Sequence, residues 1–434
     1  MIEQQQKTGV AFDTNQRYAC TDCKAKCCRN PWKIPVTVKE TANLRAISWV
    51  AERLKAAGVD FIGDDQTGYN LPRVSWPEGG QACAFLDADN LCAIQKQEGH
   101  AAIPKTCQDY PFSFVTDGDQ AVYSATSYFC PSILHNYGTP MNETIEARFQ
   151  QWQEGRTIPS LPDSIPMGGF VLPKDAYLAL ADTLEALFTR PDLSVAQALL
   201  AGRQLLWEII AANLGQASVS RQSIEETAAA FSRQLSEQVL PDIPERPLIG
   251  RVILSMELMA LASEPLHLAH QAAGKPENNF RFVYIGQLLR MIQDQGSLML
   301  WDFPQAVDLV QARTVRINEH HPELQAALKR YYLHLLKNRH LFCQGEDFIR
   351  TYFRLGGSYS MILKLARFLA NARDRREAAI EDYLDAIGYT DILVTSRSRT
   401  VQDWLSKVRE SITGLLATRQ DSFERLVLSE SSHG

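Results

Sequence analysis

Cys20-Thr-Asp-Cys23-Lys-Ala-Lys-Cys27-Cys28 sets four thiols within nine residues. Cys83, Cys92, Cys107 and Cys130 follow, and only Cys343 lies beyond them in the remaining three hundred residues. Thiols reach this density when something binds them, either another sulfur or a metal. The N-terminus, Met1-Ile-Glu-Gln-Gln-Gln6, lacks the basic start and apolar run of a secretory signal. No stretch reaches the roughly 18 consecutive apolar residues of a membrane span. The chain therefore reads as cytoplasmic, where thiols are kept reduced and dense cysteines ligate metal rather than form bridges. The odd total of nine cysteines also fits a closed disulfide framework poorly.

Chelation explains the spacing. Two cysteines separated by two residues can turn their sulfurs to one point in a tight loop. Cys20 and Cys23 form such a pair, and Cys27 lies within reach of the same centre. Cys27 and Cys28 are adjacent, so their side chains diverge; one can close the first site while the other points to a second metal or a partner cysteine. Cys83 and Cys92 flank the polar turn Asp87-Ala-Asp-Asn90, which folds them together. Cys107 precedes Gln-Asp-Tyr-Pro111, and Cys130 precedes Pro131. The candidate metal ligands are thus Cys20, Cys23, Cys27, Cys28, Cys83, Cys92, Cys107 and Cys130. Eight thiolates suit two zinc ions, one cubane cluster with four cysteines to spare, or two clusters, and spacing does not choose among them. Lys24, Lys26, Arg29 and Lys33 surround the first knot, where cations would favour thiolate.

The 434 residues suggest two or three domains. A net charge of −6 gives no global attraction to nucleic acid or anionic membrane. The fold expected is mainly α with a small, loop-rich, metal-ligated α+β N-terminal domain at 1–145. A Pro-rich linker follows at 146–174, then an α-helical domain at 175–434. Within the first domain, strands are predicted at 120–128 and, more weakly, at 70–76. A helix is predicted from Val38 to Ala57, opened by the capping box Thr37-Val-Lys-Glu40 and closed at Gly58. Beyond the linker, helices are predicted at 175–188, from Ser194 and from Ser223 (two further capping boxes), and at 248–263, 280–294, 303–316, 322–338, 346–354, 358–373, 376–387 and 400–417. Gly356-Gly357 is expected to break the helices on either side.

Several pieces together resemble a bacterial family of cysteine-cluster proteins described as zinc- or iron-chelating domains. They are Cys20-x-x-Cys23-x-x-x-Cys27-Cys28, Cys83-x-Phe-Leu, Leu91-Cys92-x-Ile and Cys107-x-x-Tyr110-Pro111. With Cys130-Pro131, the stretch Ile94–Cys107 and a long helical remainder, the chain looks most like the flagellin lysine N-methylase branch. Phe112 stands where that branch is expected to carry a basic residue. The resemblance implies a 4Fe-4S cluster, S-adenosylmethionine as methyl donor, and a lysine ε-amine of a protein substrate as acceptor. The competing expectation is a non-enzymatic zinc- or iron-chelating protein, in which metal staples the N-terminal domain and the helices bind a partner. A third is a redox or metal-trafficking protein using the additional cysteines.

The sequence contains no glycine-rich strand-to-helix turn for a nucleotide-like cofactor, so any S-adenosylmethionine site differs from a Rossmann one. Asp22, Asp109 and Tyr110 neighbour cysteines where a base for lysine deprotonation could sit, although supporting a ligand cysteine or shaping a turn suits them better. Trp32 and Phe112 read as packing residues, as do the helical aromatics Tyr331, Tyr332, Tyr352, Phe353 and Phe368. His267 and His270 have helical spacing but no third ligand nearby, and His320-His321 reads as a helix approach. Cys343 reads as a small hydrophobe.

Overall fold

The computed structural model describes residues 10–13, 15–20, 23, 25–29, 34–64, 68–75, 81–118, 121–235, 255, 259, 280–300, 305–343, 345–395 and 427. The chain divides into two compact units. One comprises Thr14–Ser113 and Thr126–Glu154; the other comprises Met1–Asp13, Phe114–Ala125 and Gly155–Gly434. All eight clustered cysteines belong to the first.

The cysteine unit is built from short pieces: helices α1 (Lys26–Arg29), α2 (Val38–Arg45), α3 (Ser48–Ala57), α4 (Ala93–Glu98), α5 (Lys105–Asp109), α6 (Pro131–His135) and α7 (Ile145–Gln153), with small sheets between them. Pro35–Val36, Gly68–Asn70 and Ile62–Asp64 form one antiparallel sheet, and Arg73–Ser75 pairs with Gln81–Cys83. Thr37 caps α2 through the expected box: its hydroxyl accepts from the Glu40 N–H, and the Glu40 carboxylate accepts from the Thr37 N–H. The single helix expected over 38–57 is two. Ile47 takes an extended backbone (ψ 116°) at the start of α3 and packs on the core that also buries Leu44, Val50 and Leu54. Gly58 ends α3 in the left-handed region, as its lack of a Cβ permits.

The stretch 146–174 carries most of α7 and an antiparallel hairpin, Ser164–Met167 with Phe170–Pro173. Beyond it the second unit is helical: α8 (Lys174–Thr189), α9 (Val195–Ala212), α10 (Arg221–Leu235), α11 (Phe280–Ile292), α12 (Leu309–Thr314), α13 (Pro322–Lys337), α14 (Phe348–Ala372) and α15 (Ile380–Thr395). Helix α14 packs on α15 and α9, while α8 packs on α9, α10 and α13. The α14 helix is buried along nearly its whole length. It runs unbroken through Gly356-Gly357, because burial on both sides outweighs the roughly 1 kcal/mol that each glycine costs a helix. Ser194 forms the second expected capping box. The third is corrected: α10 begins at Arg221, and the Ser220 hydroxyl accepts from the Ser223 N–H. The helix expected at 303–316 is confined to α12, where the Asp308 carboxylate accepts from two N–H groups of its first turn. Most of the helix expected at 248–263, and all of that at 400–417, lie outside the described residues.

These elements make the molecule mainly α with small sheets. Among the described residues, no sheet exceeds three strands, and no helix is long and apolar enough to cross a membrane.

Candidate metal centre

The cysteines reach one place by three routes. Cys27 and Cys28 lie on the single turn of α1, entered through Ala25 in the left-handed region and closed by a Cys28 N–H to Ala25 carbonyl bond of 2.9 Å. Cys83 ends the strand Gln81–Cys83 opposite Arg73. The expected turn at Asp87–Asn90 then folds Cys92 back. Leu86 bridges Cys92, and the Ala93 N–H donates to the Phe85 carbonyl at 2.8 Å. Arg53 of α3 secures this loop by donating to the carbonyls of Ala84 (2.7 Å) and Leu86 (2.8 Å) and to the Asp87 carboxylate (2.7 Å). Cys107 lies in α5, whose first N–H, on Lys105, donates to Glu40 at 2.7 Å.

Seven cysteines, Cys20, Cys23, Cys27, Cys28, Cys83, Cys92 and Cys107, line one cavity of about 440 Å³. Its remaining walls include Ile34, Leu71, Phe85, Ile94 and Ile103, with Tyr110 and Lys96 also lining it. Cys130, almost fully buried, begins α6 outside that lining. It is nevertheless carried to the first knot. The Ala19 N–H donates to the Ser132 hydroxyl at 2.7 Å, and the Lys26 ammonium sits 4.7 Å from the centre of the Phe129 ring.

Burial dominates the thiol electrostatics. It pushes the Cys83 and Cys130 thiols up to about 12 and raises Cys23, Cys92 and Cys107, with neighbouring cysteines adding to each shift. Cys28 contributes to the rise at Cys83, Cys92 and Cys107, whereas Cys20 and Cys23 contribute at Cys130. The Sγ atoms of Cys27 and Cys28 stand 3.9 Å apart. The hydrogen bond between them raises Cys27 well above a free thiol and lowers Cys28, which the Arg73 guanidinium lowers further. Protonated, mutually opposed thiols are what a cation would relieve, since a metal replaces several protons with one centre of positive charge.

The donor set fits a thiophilic metal in kind and number. Among the described residues, however, no three His, Cys, Asp or Glu side chains are gathered closely enough to hold an ion as they stand.

Of the other candidates, Tyr110 lines the cavity, while Asp109 pairs with Lys105 at 3.6 Å. Asp22, Lys24, Trp32, Lys33, His267 and His270 lie outside the described residues. Phe112 is core: Tyr18 meets it edge-on at 5.0 Å, and the Arg148 guanidinium covers its ring at 4.7 Å. His321 precedes α13 at the N-cap position without a side-chain capping bond, and Tyr331, Tyr332, Tyr352, Phe353 and Phe368 are buried. Burial raises the Cys343 thiol to about 11. Arg53 and Arg73 escaped the sequence reading. Only the weak strand at 70–76 hinted at either, by placing Arg73 beside Cys83.

Comparison with known proteins finds partial similarity. The chain is 28% identical to the flagellar biosynthetic protein FliU of Salmonella muenchen over 126 residues, which make up 29% of this chain and 73% of that protein. It is 27% identical to a lysine-N-methylase of Salmonella typhimurium over 129 residues, again 29% of this chain but 31% of that protein. A lysine-N-methylase of Salmonella choleraesuis aligns similarly, at 26% identity over 127 residues. The match thus spans less than a third of the lysine-N-methylases' length. No protein-family model and no solved structure matches the chain.

Proposed function

We propose that this protein is a metal-dependent protein-lysine N-methyltransferase working in a reducing compartment, with its cysteine-lined cavity as the metal site. The observation that carries this reading is the convergence of seven cysteines on one cavity in a chain partly similar to proteins named lysine-N-methylase. A 4Fe-4S cluster suits the thiol count, with zinc as the alternative. When bound, S-adenosylmethionine supplies an electrophilic methyl group on a sulfonium.

The chain's own residues would do the rest. The apolar walls Ile34, Leu71, Phe85, Ile94 and Ile103 exclude water, and an unpaired lysine entering such surroundings is driven toward its neutral, nucleophilic amine. Tyr110, on the wall, is placed to accept a hydrogen bond from that amine and orient it. Arg53 and Arg73 hold the cysteine loops in position.

The test is to incubate full-length, anaerobically purified protein with S-adenosylmethionine and lysine-bearing proteins, flagellin among them, and to map methyl increments by mass spectrometry. Methyl groups on lysine that require both chain and donor support the reading. Metal-loaded protein that methylates none of them overturns it. That second result would favour the other reading, a metal staple, for which the specific observation is that Cys28, Cys83, Cys92 and Cys107 all belong to the apolar core of the small unit.

A further inference from the structure

We propose that the eight cysteines hold two neighbouring metal centres, Cys20, Cys23, Cys27 and Cys130 around one and Cys28, Cys83, Cys92 and Cys107 around the other, the two sets meeting at Cys27 and Cys28 of helix α1. This assignment rests on the metal-binding part of the function proposed above, and adds how the ligands divide.

The division begins at α1. Cys27 and Cys28 are successive residues of α1, about 100° apart around its axis. Their Sγ atoms are 3.9 Å apart, close enough for two centres to be neighbours. On its side, Cys28 packs against the apolar cluster that contains Cys83 and against which Cys92 and Cys107 also pack. The same cluster contains none of Cys20, Cys23, Cys27 or Cys130. Arg73 ties this half together, since it pairs across the hairpin with Cys83 and its guanidinium reaches the Cys28 carbonyl at 3.5 Å.

Cys27 belongs to the other half by its place in the chain. Cys20 and Cys23 precede it in one loop. Two links on either side of Cys130 bring that residue to the same loop: Ser132 accepts from the Ala19 N–H, and Phe129 lies under Lys26. The strand pairing of Tyr18 with Thr139 and of Arg17 with Pro140 fixes the register of the same approach. Each set thus combines residues close in sequence with a distant partner delivered by the fold. Each also has a cation beside it, Lys26 for the first and Arg73 for the second, as a dianionic four-thiolate centre would favour.

The test compares the full-length protein, purified anaerobically, with the double variants C20S/C23S and C92S/C107S. Iron, zinc and acid-labile sulfide are measured per chain, with circular dichroism and gel filtration to verify folding. The wild type is expected to carry two centres. Each variant should keep half of the metal, with sulfur coordination of the remainder visible by X-ray absorption. If one variant keeps all the metal and the other keeps none, the eight cysteines serve a single centre and the division is wrong. Where a variant fails to fold, the wild-type stoichiometry decides: two centres per chain support the division, and one overturns it while leaving the proposed function standing. Wild-type protein free of metal would overturn both.

Discussion

At the scale of single residues, the positions that shape the cysteine unit include one without a functional group. Gly138 adopts φ +104°, and a methyl group there would meet the backbone carbonyl of Tyr18 and stand 2.6 Å from the Ala19 Cβ. Gly138→Ala is therefore expected to cost about 2 kcal/mol or more. It should also reduce metal retention, because the same backbone pairing carries Cys20 toward Cys130. Urea unfolding with elemental analysis of the folded fraction checks both. His340, in the helical unit, has its imidazole held down at about 4 by burial, against 6.5 when free. Between those values the unfolded chain binds the extra proton, so this residue's contribution is fully present above about pH 6.5 and is lost as pH falls toward 4. His340→Gln should remove up to roughly 2 to 3 kcal/mol of the acid sensitivity between pH 7 and pH 4, read from urea midpoints at each pH. Local chemistry was legible in the sequence: the Cys83–Cys92 turn and the capping residues Thr37 and Ser194 follow from neighbours. Arg53 and Arg73 were not, because their partners lie on other elements and only folding brings them together.

At the scale of elements, two glycines in helices should behave oppositely. In α9, a Cβ on Gly202 would run into the hydroxyl of Tyr352, which is buried and donates to the Leu199 carbonyl at 2.9 Å. Gly202→Ala is expected to destabilise by about 1–3 kcal/mol through overpacking. In α11, Gly286 has open space around its Cβ position and no positive φ, so Gly286→Ala should stabilise by about 0.5–1 kcal/mol. Thermal or urea unfolding of the two variants side by side checks the pair, and equal shifts would contradict the packing described. The elements misjudged from sequence differ in cause. Ile47 interrupts a continuous helical pattern by taking an extended backbone at the start of α3, a break no local signal announces, and Gly356-Gly357 fails to interrupt one because α14 is enclosed by its neighbours. Propensity describes a helix alone, and in α14 burial outweighs it. The start of α10 moved for a simpler reason: Ser220 and Ser223 are both competent caps, and the earlier one prevailed.

For the whole molecule, the sequence conveyed the contrast between a cysteine-rich first part and a helical remainder, since thiol density and helical period are properties of composition and spacing. It conveyed less about how the chain is shared out. The stretch 114–125 groups with the helical unit and 126–154 with the cysteine unit, so the chain passes between units four times, and no local signal marks such returns. The convergence of Cys28, Cys83, Cys92 and Cys107 on one apolar cluster is likewise a product of tertiary folding. Everything functional proposed for this chain depends on that cavity being a metal site. The most direct measurement is elemental analysis of the full-length protein prepared without oxygen, combined with mass-spectrometric mapping of its thiols. The account predicts bound iron or zinc with the cysteines recovered unbridged; protein empty of both metals, or with these cysteines oxidised in pairs, would contradict it.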